Sequence, residues 1–352
     1  MGDIGPNQCR TSSREKPEWT ELVSDLAFDR PLGNAIYRSL GQKMSMQRFL
    51  IGQYGSFDQH KFDRDFRDEF YGIEACLLQT EEDVLKLIQA AQKHSFQVGI
   101  HFPLRDRGLV IRDALFLSPD EEERNQAYRL IQDGLDEALR MGLDPAYILF
   151  HYPKPVILDD RVDWSRWHFS DRREYVYESK YSFEEYKQRT EELFQWLTER
   201  SRQYGFVPVL EFDALNKYVY DSDVLEELLQ KYHLIRLCLD TGRLYLQERR
   251  DPSFQSIPIM RKYAKYAEVI HLWNLQYGDG FIKLRYPVLP EQLRSDGWAP
   301  IAEYLHIIRQ ENPNVKIQFE HRSDLVSDED LQRCYEWVSK LISAIPNKKG
   351  AE

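Results

Sequence analysis

The chain lacks an apolar run long enough to cross a bilayer, which takes about 20 residues. Its opening, MGDIGPNQCRTSSREKPEW, also lacks the apolar centre of a signal peptide, so neither secretion nor a membrane is expected. Cysteine is scarce: Cys9, Cys76, Cys238 and Cys334 stand far apart with no CxxC pair. That excludes a disulfide-built scaffold and fits reduced thiols in a cytoplasmic protein. Positive charge is short as well, with 47 Lys and Arg against 58 Asp and Glu and a net charge of −11. Nucleic-acid affinity comes largely from neutralising phosphates with cations. The balance therefore turns the expectation from nucleic acid toward a small-molecule substrate.

What is present is enough apolar material for a large core, 42% of 352 residues. Short β-branched or aliphatic runs recur, each followed by an amphipathic helical stretch. They fall at 48–53, 72–77, 97–101, 147–151, 207–211, 235–240, 268–271 and 316–320. Strands alternating with helices imply parallel βαβ units covered on both faces. Eight of them close a small barrel. The expected fold is α/β, a (β/α)8 barrel over 47–345, with an N-terminal extension at 1–46 and a tail at 346–352. Residues 1–17 are polar and expected to lack fixed structure, and 18–46 read as helical.

Helix starts are signalled by Ser118-Pro119-Asp120-Glu121, with Ser118 as cap, and by Ser182 with Glu185, Thr80 with Asp83 and Ser327 with Asp330. The last helix shows a 3.6-residue apolar period through Leu331, Cys334, Trp337, Val338, Leu341 and Ile342. Asn312-Pro313 ends the helix before the eighth strand. Two long connections, 152–181 and 274–297, are expected to be lids or binding loops on the strand C-terminal side.

Polar groups stand at the ends of six strand candidates. His101 ends the third, His151 the fourth, Glu211 the fifth, Asp240 the sixth, His271 the seventh and Glu320 the eighth. In a closed barrel these ends face one central volume. Carboxylates gathered there repel one another and are costly to bury, and a divalent cation removes that cost. Taken singly, a strand-end histidine is more often a hydrogen-bonded rim residue, and Asp240, before Thr241-Gly242, is a plausible turn former. All six at the same point of the repeat weaken that alternative.

The phrases VGIHFPL, ILFHYPKP, PVLEFD, RLCLDTGR, VIHLWN and IQFEH, in this order at strand ends, resemble the xylose-isomerase-like barrel superfamily over about 47–345. That group includes sugar-phosphate isomerases and epimerases and the endonuclease IV class. The resemblance implies a manganese, magnesium, cobalt or zinc ion on Glu211, Asp240, His271 and Glu320. It casts Glu211 and Glu320 as the acid/base pair of a sugar or sugar-phosphate isomerase or epimerase working through an ene-diolate. His101, His151, Arg243 and Trp273 are then expected on the substrate. An endonuclease IV-like phosphodiesterase would use His101 and His151 as further zinc ligands. That pattern expects a histidine where this chain has Arg243, and an Asp-x-His pair where it reads Lys283-Leu284-Arg285-Tyr286-Pro287. A barrel that binds without catalysing, and a homo-oligomer, also remain open. Arg243, Arg322 and Lys154 are candidate anion contacts. His321, next to Glu320, is expected to turn away from the mouth by strand alternation.

Overall fold

The computed structural model describes residues 45–167 and 169–343. The expected extension, apart from Ser45 and Met46, lies outside them, as do Cys9 and the tail. Eight parallel strands close a barrel: β1 (Phe49–Tyr54), β2 (Gly72–Cys76), β3 (Gln97–His101), β4 (Tyr147–Tyr152), β5 (Val207–Phe212), β6 (Arg236–Asp240), β7 (Ala267–Leu272) and β8 (Lys316–Phe319). Each pairs with its neighbours in sequence, and β8 closes on β1 with Phe49 opposite Ile317. All eight expected strands are present within a residue or two.

Alternation along the strands sorts the core into two compartments. Leu50, Tyr147, Leu149, Val209, Cys238 and Val269 fill the barrel interior. Their sequence neighbours, among them Ile51, Ile148, Leu210, Leu239 and Ile270, face the helices. Because the period is two, the next inward position on each strand lies one layer higher, at the mouth. That layer holds Glu74, His101, His151, Glu211, Asp240 and His271. Small residues on one side accommodate large ones on the other: a Cβ on Gly99 would meet the Tyr147 ring at 2.3 Å.

The capping boxes at Thr80 with Asp83 and Ser182 with Glu185 are formed, as is the Ser327 cap on Asp330 N–H. The fourth expectation, the Ser118 cap, is corrected. The cap of the helix Glu121–Arg140 is Asp120, which accepts from Glu123 N–H, and Ser118 instead holds Asp120 N–H and the Glu123 carboxylate. Asp120 competes successfully because an aspartate oxygen reaches the third helical N–H as well as serine does. The two long connections are not bare loops. The first carries a ribbon pairing Val156–Leu158 with Tyr175–Tyr177, packed on Trp164 and Trp167. The second folds as a hairpin, Asn274–Tyr277 against Phe281–Tyr286. No helix among the described residues is long and apolar enough to cross a membrane.

Gly72 has no room for a side chain: a Cβ would lie 1.8 Å from the Gln97 carbonyl oxygen on β3. Gly72→Ala must push two paired strands apart and should cost roughly 1–3 kcal/mol, the range for overpacking. A urea midpoint equal to that of the parent chain would show the contact to be soft.

Candidate metal centre

Glu211, Asp240 and His271 are fully buried, and Glu320, just past β8, keeps its side chain partly open. One donor atom from each of the four lies within 4.8 Å of the others. Glu211 is the hub. One of its oxygens is 3.2 Å from His271 Nδ1, and the other is 3.1 Å from both His101 Nε2 and His151 Nε2. Asp240 caps the helix Thr241–Arg250 by accepting from Gly242 and Arg243 N–H with Oδ1, while Oδ2 has no hydrogen-bond partner. The turn-forming role read from Thr241-Gly242 thus uses one oxygen and leaves the other facing its neighbours. Glu320 Oε1 is 2.8 Å from the Arg285 guanidinium, and Oε2 has no hydrogen-bond partner.

A further shell fixes these side chains. His271 turns Nδ1 toward Glu211 and Glu320, and its Nε2 lies 3.0 Å from Glu74. Glu74 is fastened in turn by the Tyr147 hydroxyl at 2.7 Å. His151 Nδ1 is 2.9 Å from Asp113. Buried Lys154 links Asp113 (2.9 Å) to Asp213 (2.8 Å), and Arg243 binds Asp213 at 3.0 Å. Trp167, from the ribbon-bearing loop, donates its Nε1–H to Asp213.

The charges explain the titration of the cluster. Burial, and then the charges of Glu320 and Glu211, push the Asp240 carboxyl up to about 7. Burial acts the same way on Glu320, but Arg285 and His271 outweigh it and hold the group at about 2. Glu211 is also desolvated, yet His271 and His151 keep it well below the usual carboxylate range. His271 is raised because Cys238, Glu74 and Glu211 overcome its desolvation. Four acidic or basic groups thus share a volume with too little positive charge. Two buried oxygens without partners, beside an imidazole nitrogen, make an oxygen and nitrogen donor set that suits a divalent cation.

The six strand-end residues converge as their spacing suggested. Of the four expected on substrate, His101 lines the large cavity at the mouth, whereas His151, Arg243 and Trp273 do not. Arg243 instead lies against Asp213, with Nε 3.6 Å from Glu211 and 3.5 Å from Asp240. Trp273 packs its ring on Gly242, under the Arg285 guanidinium. Lys154 is locked between two aspartates, and Arg322 pairs with Asp324 at the surface. His321 does leave the barrel axis and packs on Phe319 and Tyr335, yet it still borders the cavity.

Three contributors escaped the sequence reading. Glu74 was signalled by a lone acid inside the apolar strand Gly-Ile-Glu-Ala-Cys, a residue type seldom buried unpaired. Arg285 was signalled by Gly278-Asp279-Gly280 before an alternating run, a hairpin pattern. Its backbone has a φ of 48°, and the ribbon register shifts between Asn274 and Gln276, so a bulge re-aims this side chain at Glu320. Asp113, in an irregular loop, gave no signal.

No protein-family model matches the chain, and no curated protein is significantly similar to it in sequence. Solved structures share its fold. A D-tagatose 3-epimerase-like protein is 14% identical over 84% of this chain and 99% of its own, with a TM-score of 0.54. A D-psicose 3-epimerase crystallised in the presence of D-fructose is 10% identical over 84% and 99%, with a TM-score of 0.50. A fusion of a xylose isomerase-like TIM barrel with a 4-hydroxyphenylpyruvate dioxygenase is 13% identical over 81% of this chain and 41% of its own, also at 0.50. What these structures share with the chain is the (β/α)8 barrel fold that the strand pattern implied.

Two outcomes follow. Glu74→Gln should weaken divalent-metal affinity 10- to 100-fold, the usual effect of losing a histidine's outer partner, with little change in melting temperature. Calorimetric titration giving the parent affinity would remove Glu74 from this role. Lys154→Met leaves Asp113 and Asp213 buried without their shared cation and should cost about 3–5 kcal/mol at neutral pH. Both carboxyls sit below their ordinary value in the folded chain, after desolvation is outweighed by His151 and Lys154 for Asp113 and by Lys154 and Arg243 for Asp213. Their contribution is therefore present above pH of about 4 and lost as the pH falls below it. The stability gap between variant and parent should narrow on acidification. A gap that widens below pH of about 4 would contradict this account.

Proposed function

We propose that the chain is a divalent-metal-dependent isomerase or epimerase of a sugar or sugar phosphate, moving a proton next to a carbonyl. The carrying observation is the pair of buried carboxylate oxygens without a hydrogen bond, Asp240 Oδ2 and Glu320 Oε2, within one cluster with Glu211 and His271. The fold shared with a D-psicose 3-epimerase agrees with ketose chemistry. Glu211, Asp240, His271 and Glu320 would hold manganese, magnesium, cobalt or zinc, which when bound polarises a carbonyl and compensates the charge of an ene-diolate.

The chain's own groups divide the proton work. Glu320 borders the cavity and is kept ionised by Arg285, so it is the base for a substrate C–H. Glu211, three strands away around the barrel, stands on the other side of the cluster. It exchanges protons through His101, which touches both Glu211 and the cavity. Return of the proton to the opposite face inverts the carbon, and return to the next carbon isomerises the sugar.

A hydrolytic reading is favoured by a second group, His101, His151 and Glu211, whose donor atoms also lie within 4.8 Å. Two ions sharing Glu211 would suit phosphodiester cleavage. Arg243 in place of a histidine and the net charge of −11 weigh against it.

The metal-loaded chain should exchange a substrate C–H with solvent deuterium for at least one ketose, and chelation should stop it. Glu320→Gln and Glu211→Gln should each slow exchange by roughly 10²- to 10⁴-fold. Exchange that survives chelation or either variant sinks the reading. Two ions per chain together with steeply salt-dependent DNA binding would support the hydrolase instead.

A further inference from the structure

The mouth cavity is large. Its volume is about 830 Å³, toward the upper end of the roughly 300–1,000 Å³ typical for small-molecule sites. It begins at Glu74, His101 and Glu320 on the barrel axis. From there it runs over the ends of β1 and β8 to Lys61 and Asp65, on the helix Gln59–Asp65. A single sugar ring held at the Glu211 cluster leaves this outer part of the cavity unused.

The walls of that outer part have a definite chemistry. Tyr54 ends β1 with 67% of its surface exposed, offering a flat aromatic face at the rim. Gln318 is buried on β8 with Oε1 lacking a partner, and Gly52 opposite it is bare because a Cβ there would meet the amide at 2.8 Å. His321 is buried with Nδ1 likewise without a partner. An aromatic face with amide and imidazole edges matches a polyol, which has C–H faces and hydroxyl edges.

Every Lys and Arg on the walls has an acid partner, and Asp58 and Glu74 add further negative charge. Lys61 pairs with Asp65 at 2.7 Å, Arg64 with Asp328 at 2.6 Å, Arg112 with Asp113 at 3.3 Å, Arg285 with Glu320 at 2.8 Å and Arg322 with Asp324 at 2.6 Å. An anionic ligand would have to pull a cation from one of these acids, and removing Lys61 would strip buried Asp65 of its closest cation.

From this we infer a second subsite, built from Tyr54, Gln318 and His321, that holds an uncharged hydroxylated group joined to the reacting sugar. Resting on the isomerase reading, the substrate is a disaccharide or glycoside rather than a free or phosphorylated monosaccharide. The subsite's apolar face is Tyr54 at the rim, and its hydrogen-bonding wall is Gln318.

The test is calorimetric titration of the full, metal-loaded chain with lactulose, fructose and fructose 6-phosphate, alongside Tyr54→Ala and Gln318→Ala. Lactulose is expected to bind at least tenfold more tightly than either monosaccharide, and each variant should lose at least tenfold of its affinity. Tyr54 is exposed, so its replacement does not threaten folding. Lactulose binding no better than fructose, tighter binding of fructose 6-phosphate, or no binding of any of the three overturns the inference. Metal content and deuterium exchange of fructose are read separately. If they stand while the affinity order fails, the subsite is wrong and the isomerase reading survives. If metal is absent, both fall.

Discussion

The structure turns on the repulsion of carboxylates forced together at the barrel mouth. Glu211, Asp240 and Glu320 place donor atoms within 4.8 Å of one another, two of the residues fully buried. At an effective dielectric near 20, like charges at such a distance cost about 3–4 kcal/mol per pair. A chain of ordinary stability would not keep three such groups in register without compensation. The compensation within the protein is incomplete: Arg243 and Arg285 approach from the sides, His271 takes up positive charge, and Asp240 is still driven up to about 7. A doubly charged ion, as proposed, would offset that repulsion and engage the two oxygens that lack hydrogen bonds.

The surrounding core can be read as scaffolding for that cluster. Tyr147 reaches through the space that Gly99 vacates to fasten Glu74, which in turn sets the face His271 shows to the acids. Asp113, Lys154 and Asp213 form a buried ionic chain that holds His151 on one side and Arg243 on the other. The hairpin after β7 brings Arg285 to Glu320 through a bulge, and the ribbon after β4 ties Trp167 to Asp213. Both long connections therefore belong to the site's support as much as to its cover.

Much of this was legible in the residues. The eight strands announced themselves because buried parallel strands need unbroken apolar runs, and their last residues stood out because a charge after such a run is expensive. Their shared place at strand ends then predicted that Glu211, Asp240 and His271 face one central volume, without any coordinates. Glu74 was hidden because it sits inside a strand rather than at its end. Arg285 and Asp113 were hidden because loop residues reach the site by backbone geometry that has no sequence period. Arg243 was visible as a departure, but its closest partner could not be named, since Asp213 meets it only through the pairing of β5 with β6. The Ser118 cap failed for a local reason: two capping residues stood two positions apart, and the one nearer the helix prevailed.

The most direct measurement is anomalous diffraction from crystals soaked with manganese, recorded near the metal's absorption edge. A single strong peak among Asp240 Oδ2, Glu320 Oε2, Glu211 and His271 Nδ1 is the result this account predicts. Crystals with no peak there, or with Arg243 still filling that space and the ion bound elsewhere, would contradict it.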